Sequence, residues 1–377
     1  MENFSTTVLP AVGITLFLCG DVMPGRGIDQ ILPHSADPVI YEPYVKDARD
    51  YVRLAERVNG PVPRNASYAN IWGDALKVWQ QVSPDLKIIN LETSITTHSD
   101  PWPGKQIQYR MHPDNVAVLT AAGIDYCSLG NNHTLDWSRP GLLETMQTLR
   151  QANIAYSGAG AHLEEARKPA VLKTGKGSVL IFSYGSETAG IPVSWAATPE
   201  QSGVNLLPDL SDKTVHVIKQ QVKKVMQPGD VVVFSVHWGS NWGYDIPPLQ
   251  RRFAQQLIDS AGVDVVFGHS SHHPRGIEVY KDKLILYGAG DFINDYEGIS
   301  GHELYRGDLS LMYFPQIEPA TGKLISMKMV PMKIKNFRLN YASAADAKWM
   351  QNLLNREGSK LGTNVKLNED GSLLLQW

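Results

Sequence analysis

Residues 263–273 read Val263-Asp264-Val265-Val266-Phe267-Gly268-His269-Ser270-Ser271-His272-His273. The apolar run predicts a short strand covered on both faces, and it stops abruptly at a glycine and a group of histidines. A buried strand with imidazoles at its tip places chemistry at the carboxyl edge of a parallel sheet, where open α/β folds bind ligands. The pattern recurs upstream. Apolar stretches at 14–19, 86–90, 126–129 and 231–236 lead into Gly20-Asp21, Asn90-Leu91-Glu92, Gly130-Asn131-Asn132-His133 and His237-Trp238-Gly239. A further run at 179–184 also predicts a strand.

Between these runs, apolar residues return at helical spacing. Ile71, Ala75, Leu76 and Trp79 form one set, and Leu142, Leu143, Met146 and Leu149 follow Pro140, a residue suited to a first helical turn. Phe253, Leu257, Ile258 and Ala261 form a third. Later the rhythm turns to strands: 277–280 and 284–287 flank Lys281-Asp282-Lys283 as a hairpin, and 309–314 and 327–336 read as strands. A helix near 344–355 is expected to close the fold. The class is α/β with mixed sheets. No repeat or Gly/Ser linker interrupts the 377 residues, so the chain reads as one domain over 1–377, with a motif core at about 14–295 and C-terminal strands and helix over 305–377. Residues 33–65, 97–113 and 185–208 resist assignment; long loops of this kind are either binding loops or peripheral decoration.

A net charge of −3 advertises no nucleic-acid or anionic-membrane partner. A mean hydropathy of −0.22 excludes a multi-span membrane protein. Two cysteines, Cys19 and Cys127, build no disulfide framework and read as small buried fillers in a reducing compartment. The apolar segment from Val8 lacks the positive flank of a secretory signal, Glu2 being its sole charge, and is too short to span a bilayer. The sequence therefore predicts a cytoplasmic protein without a transmembrane segment.

The strand-end residues form a mixed donor set: carboxylates from Asp21 and Glu92, an amide oxygen from Asn132, and imidazoles from His237, His269 and His272. Nitrogen and oxygen together suit Mn, Fe, Zn or Co better than an all-oxygen Mg or Ca cage, and the lack of thiolates argues against structural zinc. Six donors exceed what one catalytic ion with an open position uses. Two divalent ions roughly 3.5–4 Å apart, sharing a carboxylate, employ them all. Singly, Asp21 reads as a turn residue and His237 as a satisfied core histidine; their recurrence after strands points to a metal site. His133 has the reference pKa of a proton donor, and Asp136, three residues on, is placed to orient it. Arg26 reads as an anion clamp or a surface salt-bridge partner. Lys105, Tyr109 and Arg110 read as an anion-binding wall, Asp291 as a supporting partner behind the ligands, and His273 as an exposed neighbour.

The ordered set Gly20-Asp21-Val22-Met23, Asn90-Leu91-Glu92, Asn131-Asn132-His133, His237-Trp238-Gly239 and Gly268-His269…His272 resembles the CapA-type poly-γ-glutamate capsule-synthesis proteins, a branch of the calcineurin-like metallophosphoesterase superfamily. The likeness continues through Gly276-Ile277-Glu278-Val279-Tyr280 and Tyr287-Gly288-Ala289-Gly290-Asp291-Phe292. It implies a four-layer α/β/β/α sandwich with a dinuclear centre. By motif, Asp21 and His272 would serve one metal, Asn132, His237 and His269 the other, Glu92 would bridge, and His133 would be the general acid. Three departures from the wider superfamily stand out: Met23 replaces a ligating histidine, Glu92 replaces an aspartate, and Ser270-Ser271 widen the last histidine pair. The first two are in keeping with the CapA branch and leave one metal a ligand short, which allows one strongly bound ion with a weak second.

Three functions follow as expectations. The leading one is a metal-dependent hydrolase of a phosphoester or related bond, acting on a small-molecule or polymer anionic substrate. The second is a metal-assisted epimerase or isomerase on a peptide or amino-acid polymer, with His133 moving a proton. The third is a non-catalytic assembly factor that binds polyglutamate.

Overall fold

The computed structural model describes residues 13–377. The expectation about the N-terminal apolar segment before that point lies outside the described residues. Among these, two large sheets carry the fold, with ten and seven strands. The first centres on Ile14–Val22, flanked by parallel Leu86–Leu91 and antiparallel Leu309–Ile317; Tyr126–Ser128 and Ala155–Ser157 extend the parallel side. The second runs parallel through Gly177–Ser186, Val231–His237, Val265–His269 and Lys283–Leu286.

Strand alternation explains the layering. Leu16 and Leu18 meet Val233, Val265 and Phe267 of the other sheet in one core, whereas Phe17 and Cys19 point the opposite way, to a core shared with Trp72, Trp79, Leu142 and Met146. The second sheet's outer face, with Phe182, Phe234 and Val266, is covered by Val215, Ile218 and Val222 of helix Asp212–Val225 and by Phe253 and Leu257. The central strands of both sheets are thus buried on both faces, which accounts for the unbroken apolar runs. The result is the α/β/β/α sandwich.

Several elements depart from the sequence reading. Helix Arg49–Asn59 occupies the unassigned 33–65 stretch and buries only Tyr51, Val52 and Ala55. Helix Ala344–Gly358 does not close the chain: strands Asn364–Leu367 and Leu373–Gln376 follow and join the edge of the first sheet. The hairpin is tighter than expected. Lys281 (φ 50°) and Asp282 (φ 62°) alone make the turn, and Lys283 already pairs with Tyr280. Two positive φ values match the right-handed twist of the strands.

Asp346 anchors the last helix. Its backbone N–H donates to Ser343 Oγ at 3.1 Å, and its carboxylate accepts from Arg306 Nη2 at 2.6 Å and Lys333 Nζ at 3.3 Å. Burial alone would raise its pKa, but the hydrogen bonds from Arg306, Ser343 and Lys333 outweigh it and hold it down to about 2. A depressed carboxylate pKa stabilises the fold above its unfolded value and ceases to do so as pH falls through the folded one. Asp346→Asn is therefore expected to lower stability at pH 7 by on the order of 1 kcal/mol after solvent screening. The gap to wild type should close between about pH 4 and pH 2, a window set by reference and folded pKa values. Melting curves across that range check it; a gap independent of pH would contradict the ionic origin.

Candidate metal centre

The carboxyl ends of the parallel strands converge at one edge. Asp21 is the penultimate residue of Ile14–Val22, beside its register partner Asn90, and His237 and His269 are register partners at the tips of adjacent strands. A further short strand, Asp291–Ile293, pairs parallel with the first and sets Asp291 beside Asp21. That pairing needs Gly20, where a Cβ would overlap the Gly290 carbonyl. His272 follows in a loop that passes through Ser270 at φ 104°, a strained value for a residue with a side chain.

Two groups of donors, each lying within 4.8 Å, share one residue: Asp21 with His237 and His269, and Asp21 with His272 and Asp291. All are buried. His237 Nδ1 and His269 Nδ1 are 2.8 Å apart, while His269 Nε2 is turned to Ser235 Oγ at 2.8 Å. Asp21 Oδ1 accepts from Asn90 Nδ2 at 2.8 Å, and the same amide reaches Glu92 Oε2 at 3.3 Å. Asp21 Oδ2 and Asn132 Oδ1 are buried without a hydrogen-bond partner.

The electrostatics point the same way. Burial, then repulsion from Asp291, push Asp21 up to about 7. Burial, then Asp21, push Glu92 well above its usual range. His269 is driven down to about 3 by burial, and His237 falls well below normal through burial and its neighbour His269. Crowded carboxylates that resist ionising beside neutral imidazoles are what a divalent cation stabilises, and the orphaned oxygens of Asp21 and Asn132 fit such an ion. Asp21 is the donor common to both groups, whereas the motif pattern would have Glu92 bridge.

His133 stands at the rim. Its Nδ1 lies 2.6 Å from Asp136 Oδ2, its Nε2 3.6 Å from Glu92 Oε1, and Tyr109 packs edge-on against its ring at 4.5 Å. Lys105 Nζ reaches Asp136 Oδ1 at 3.3 Å and the Asn132 carbonyl at 2.5 Å. The other anion candidates are engaged by the protein's own groups. Arg26 is no surface residue: it is buried, pairs with Asp295 and Glu42, and stacks 3.6 Å over Tyr51, so an incoming anion would compete with two carboxylates. Arg110 turns to the carbonyls of His98 and Asp37 and stacks on Trp137. Tyr109 donates its hydroxyl to Tyr296. His273 is buried, against expectation, among Trp242, Tyr244 and Tyr305.

Two of the unassigned loops frame the site. Trp102 and Trp195 meet edge-to-face at 5.5 Å, and their loops line a cavity of about 650 Å³ with Glu92, Asn132, His133, His237 and His272. A second space of about 730 Å³ shares Ile107, His272 and Tyr296 with the first and extends toward Trp242 and His302. The sequence reading passed over Ser235, Asn241 and Tyr296, polar groups that steady the ligands; Ser235, one alternation before His237 on the same strand face, was the legible one.

Residues 15–296 match the family described as bacterial capsule synthesis protein PGA_cap. The chain belongs to that family. PGA_cap relatives include the probable polyglutamine synthesis accessory protein of Mycobacterium tuberculosis, 46% identical over 362 residues that cover 96% of this chain and 95% of that one. Capsule biosynthesis protein CapA of Bacillus anthracis is 24% identical over 75% of this chain and 60% of its own. PGA biosynthesis protein CapA of Bacillus subtilis is 27% identical over 78% and 66%. Among solved structures, a phosphatase from Mycoplasma pneumoniae is similar at 14% identity and a TM-score of 0.46, covering 86% of this PGA_cap chain and 95% of its own. Among the described residues, no helix is long and apolar enough to cross a membrane.

Proposed function

We propose that the chain is a metal-dependent hydrolase of the metallophosphoesterase type, cleaving a phosphoester or related bond in the setting of capsule or polyglutamate synthesis. One observation carries this reading: a proton-transferring pair, His133 and Asp136 at 2.6 Å, stands beside a buried cup of carboxylates and imidazoles. The family's description and the names of its members support the setting. Two divalent cations held by Asp21, His237, His269 and His272, with Glu92 and Asn132 at the margin, would polarise the scissile group and supply a nucleophile from water.

The chain's own groups do the rest. His133 Nε2 faces the cavity and gives its proton to the departing oxygen, while Nδ1 draws one from the Asp136 carboxyl. Burial holds that carboxyl up at about 7 against the pull of Lys105, so it carries a proton near neutrality. Tyr109 fixes the imidazole plane, Lys105 steadies Asp136 and the Asn132 carbonyl, and the Trp102 and Trp195 loops limit water around the reacting bond.

Purified protein supplied with Mn²⁺ or Co²⁺ is expected to hydrolyse aryl phosphomonoesters or phosphodiesters, to stop after chelation and to resume on metal return. Protein that holds metal yet turns over nothing across such a panel would overturn the hydrolase reading. The word "accessory" in the mycobacterial relatives' names favours a second reading, a metal-stabilised binding factor for polymer assembly. A His237→Ala variant that still complements a capsule defect would decide for it.

A further inference from the structure

The first motif leaves a gap. Met23 stands where the resemblance would have a ligating histidine, and its buried sulfur accepts from the Tyr296 hydroxyl at 3.6 Å. We propose that Asp291 is a direct ligand of one cation, completing a half-site with Asp21 and His272 in place of the missing histidine, and that Asp21 is shared with the half-site of His237 and His269. This rests on the reading of the cup as a metal centre.

Backbone geometry delivers the carboxylate. Asp21 N–H donates to the Gly290 carbonyl at 2.9 Å, and Asp21 and Asp291 are register partners on adjacent parallel strands, so their side chains emerge side by side. Both are buried, and Asp21 Oδ2 has no partner. Two carboxylates in such contact are costly unless a cation lies between them.

The imidazole orientation agrees. His272 Nε2 is taken up by Asn241 Nδ2 at 3.1 Å, which leaves Nδ1, 2.9 Å from Asp291 Oδ1, as the nitrogen facing the carboxylates. His269 behaves alike: Ser235 occupies its Nε2, and its Nδ1 meets Nδ1 of His237. All three rings thus present Nδ1 to the cup, and a cation takes the place of the Nδ1 proton between His272 and Asp291. Asp291 Oδ2 meanwhile accepts from Asn294 Nδ2 at 2.8 Å, an anchor that aims the other oxygen inward.

The alternative is that Asp291 only orients His272. Asp291→Asn separates the two roles, because the amide oxygen still accepts from the imidazole but carries no charge. Wild type, Asp291→Asn and Asp291→Ala are loaded with Mn²⁺, desalted and measured by elemental analysis, competitive chelator titration and electron paramagnetic resonance. Wild type is expected to hold two ions with an exchange-coupled signal. Asp291→Asn should bind its second ion more than about 100-fold weaker, above the range lost with a supporting group. Asp291→Ala should hold one ion and lose the coupling. Unchanged metal-free melting of Asp291→Asn guards against misfolding. An Asp291→Asn protein with two ions at near wild-type affinity overturns the ligand role and leaves the proposed function standing. Wild type that binds no metal overturns both.

Discussion

Asp21→Asn is expected to raise the melting temperature of the metal-free protein and to abolish the further rise that Mn²⁺ produces. The two effects have one cause. Asp21 is fully buried, its Oδ2 has no partner, and Asp291 and Glu92 crowd it. Replacing an uncompensated buried carboxylate by a neutral amide of the same shape removes a penalty of about 1–3 kcal/mol. With metal the sign reverses. An ion at 1,000 times its Kd stabilises the native state by about 4 kcal/mol, and the variant lacks the donor common to both groups. Calorimetry with and without Mn²⁺ reads both changes. A variant that keeps the wild-type metal-induced shift would show that Asp21 is not a ligand.

His133→Ala is expected to cut kcat by about 10²–10⁴ while metal content stays at the wild-type level. The loss should depend on the leaving group: small for a nitrophenolate, which departs without a proton, and large for an alkoxide, which needs one. Asp136→Asn should follow the same trend more weakly, because the ring keeps its place against Tyr109 but loses its proton source. Equal losses for good and poor leaving groups would reassign His133 from proton donor to substrate contact.

Much of this site was legible in the sequence because each donor follows an apolar run, and a parallel sheet delivers strand ends to one edge. The partner of Asp21 was not. Asp291 becomes its neighbour only through a parallel pairing across 270 positions, which spacing cannot reveal. Arg26 misled for a similar reason: its carboxylate partners, Glu42 and Asp295, sit in an unassigned loop and far down the chain. Among the elements, helix Asp212–Val225 carried a readable signal in Val215, Ile218 and Val222, diluted by lysines on its outer face. Helix Arg49–Asn59 also carried a readable signal, with Tyr51, Val52, Ala55 and Val58 at helical spacing inside a stretch whose flanking prolines and charges read as loop. Of the final strands, Asn364–Leu367 alternates polar and apolar residues, and Leu373–Gln376 buries Leu373 and Leu375 while exposing Leu374, the mark of an edge exposed on one side.

The donors divide by origin. The first sheet and its loops contribute Asp21, Glu92, Asn132 and Asp291, all oxygen, while the second contributes His237, His269 and His272, all nitrogen. Ions seated between them would rivet the two halves of the sandwich together at the open edge. Scarcity of metal would then shorten the protein's lifetime against proteases as well as silence its chemistry, tying its abundance in the cell to the supply of the ion it uses.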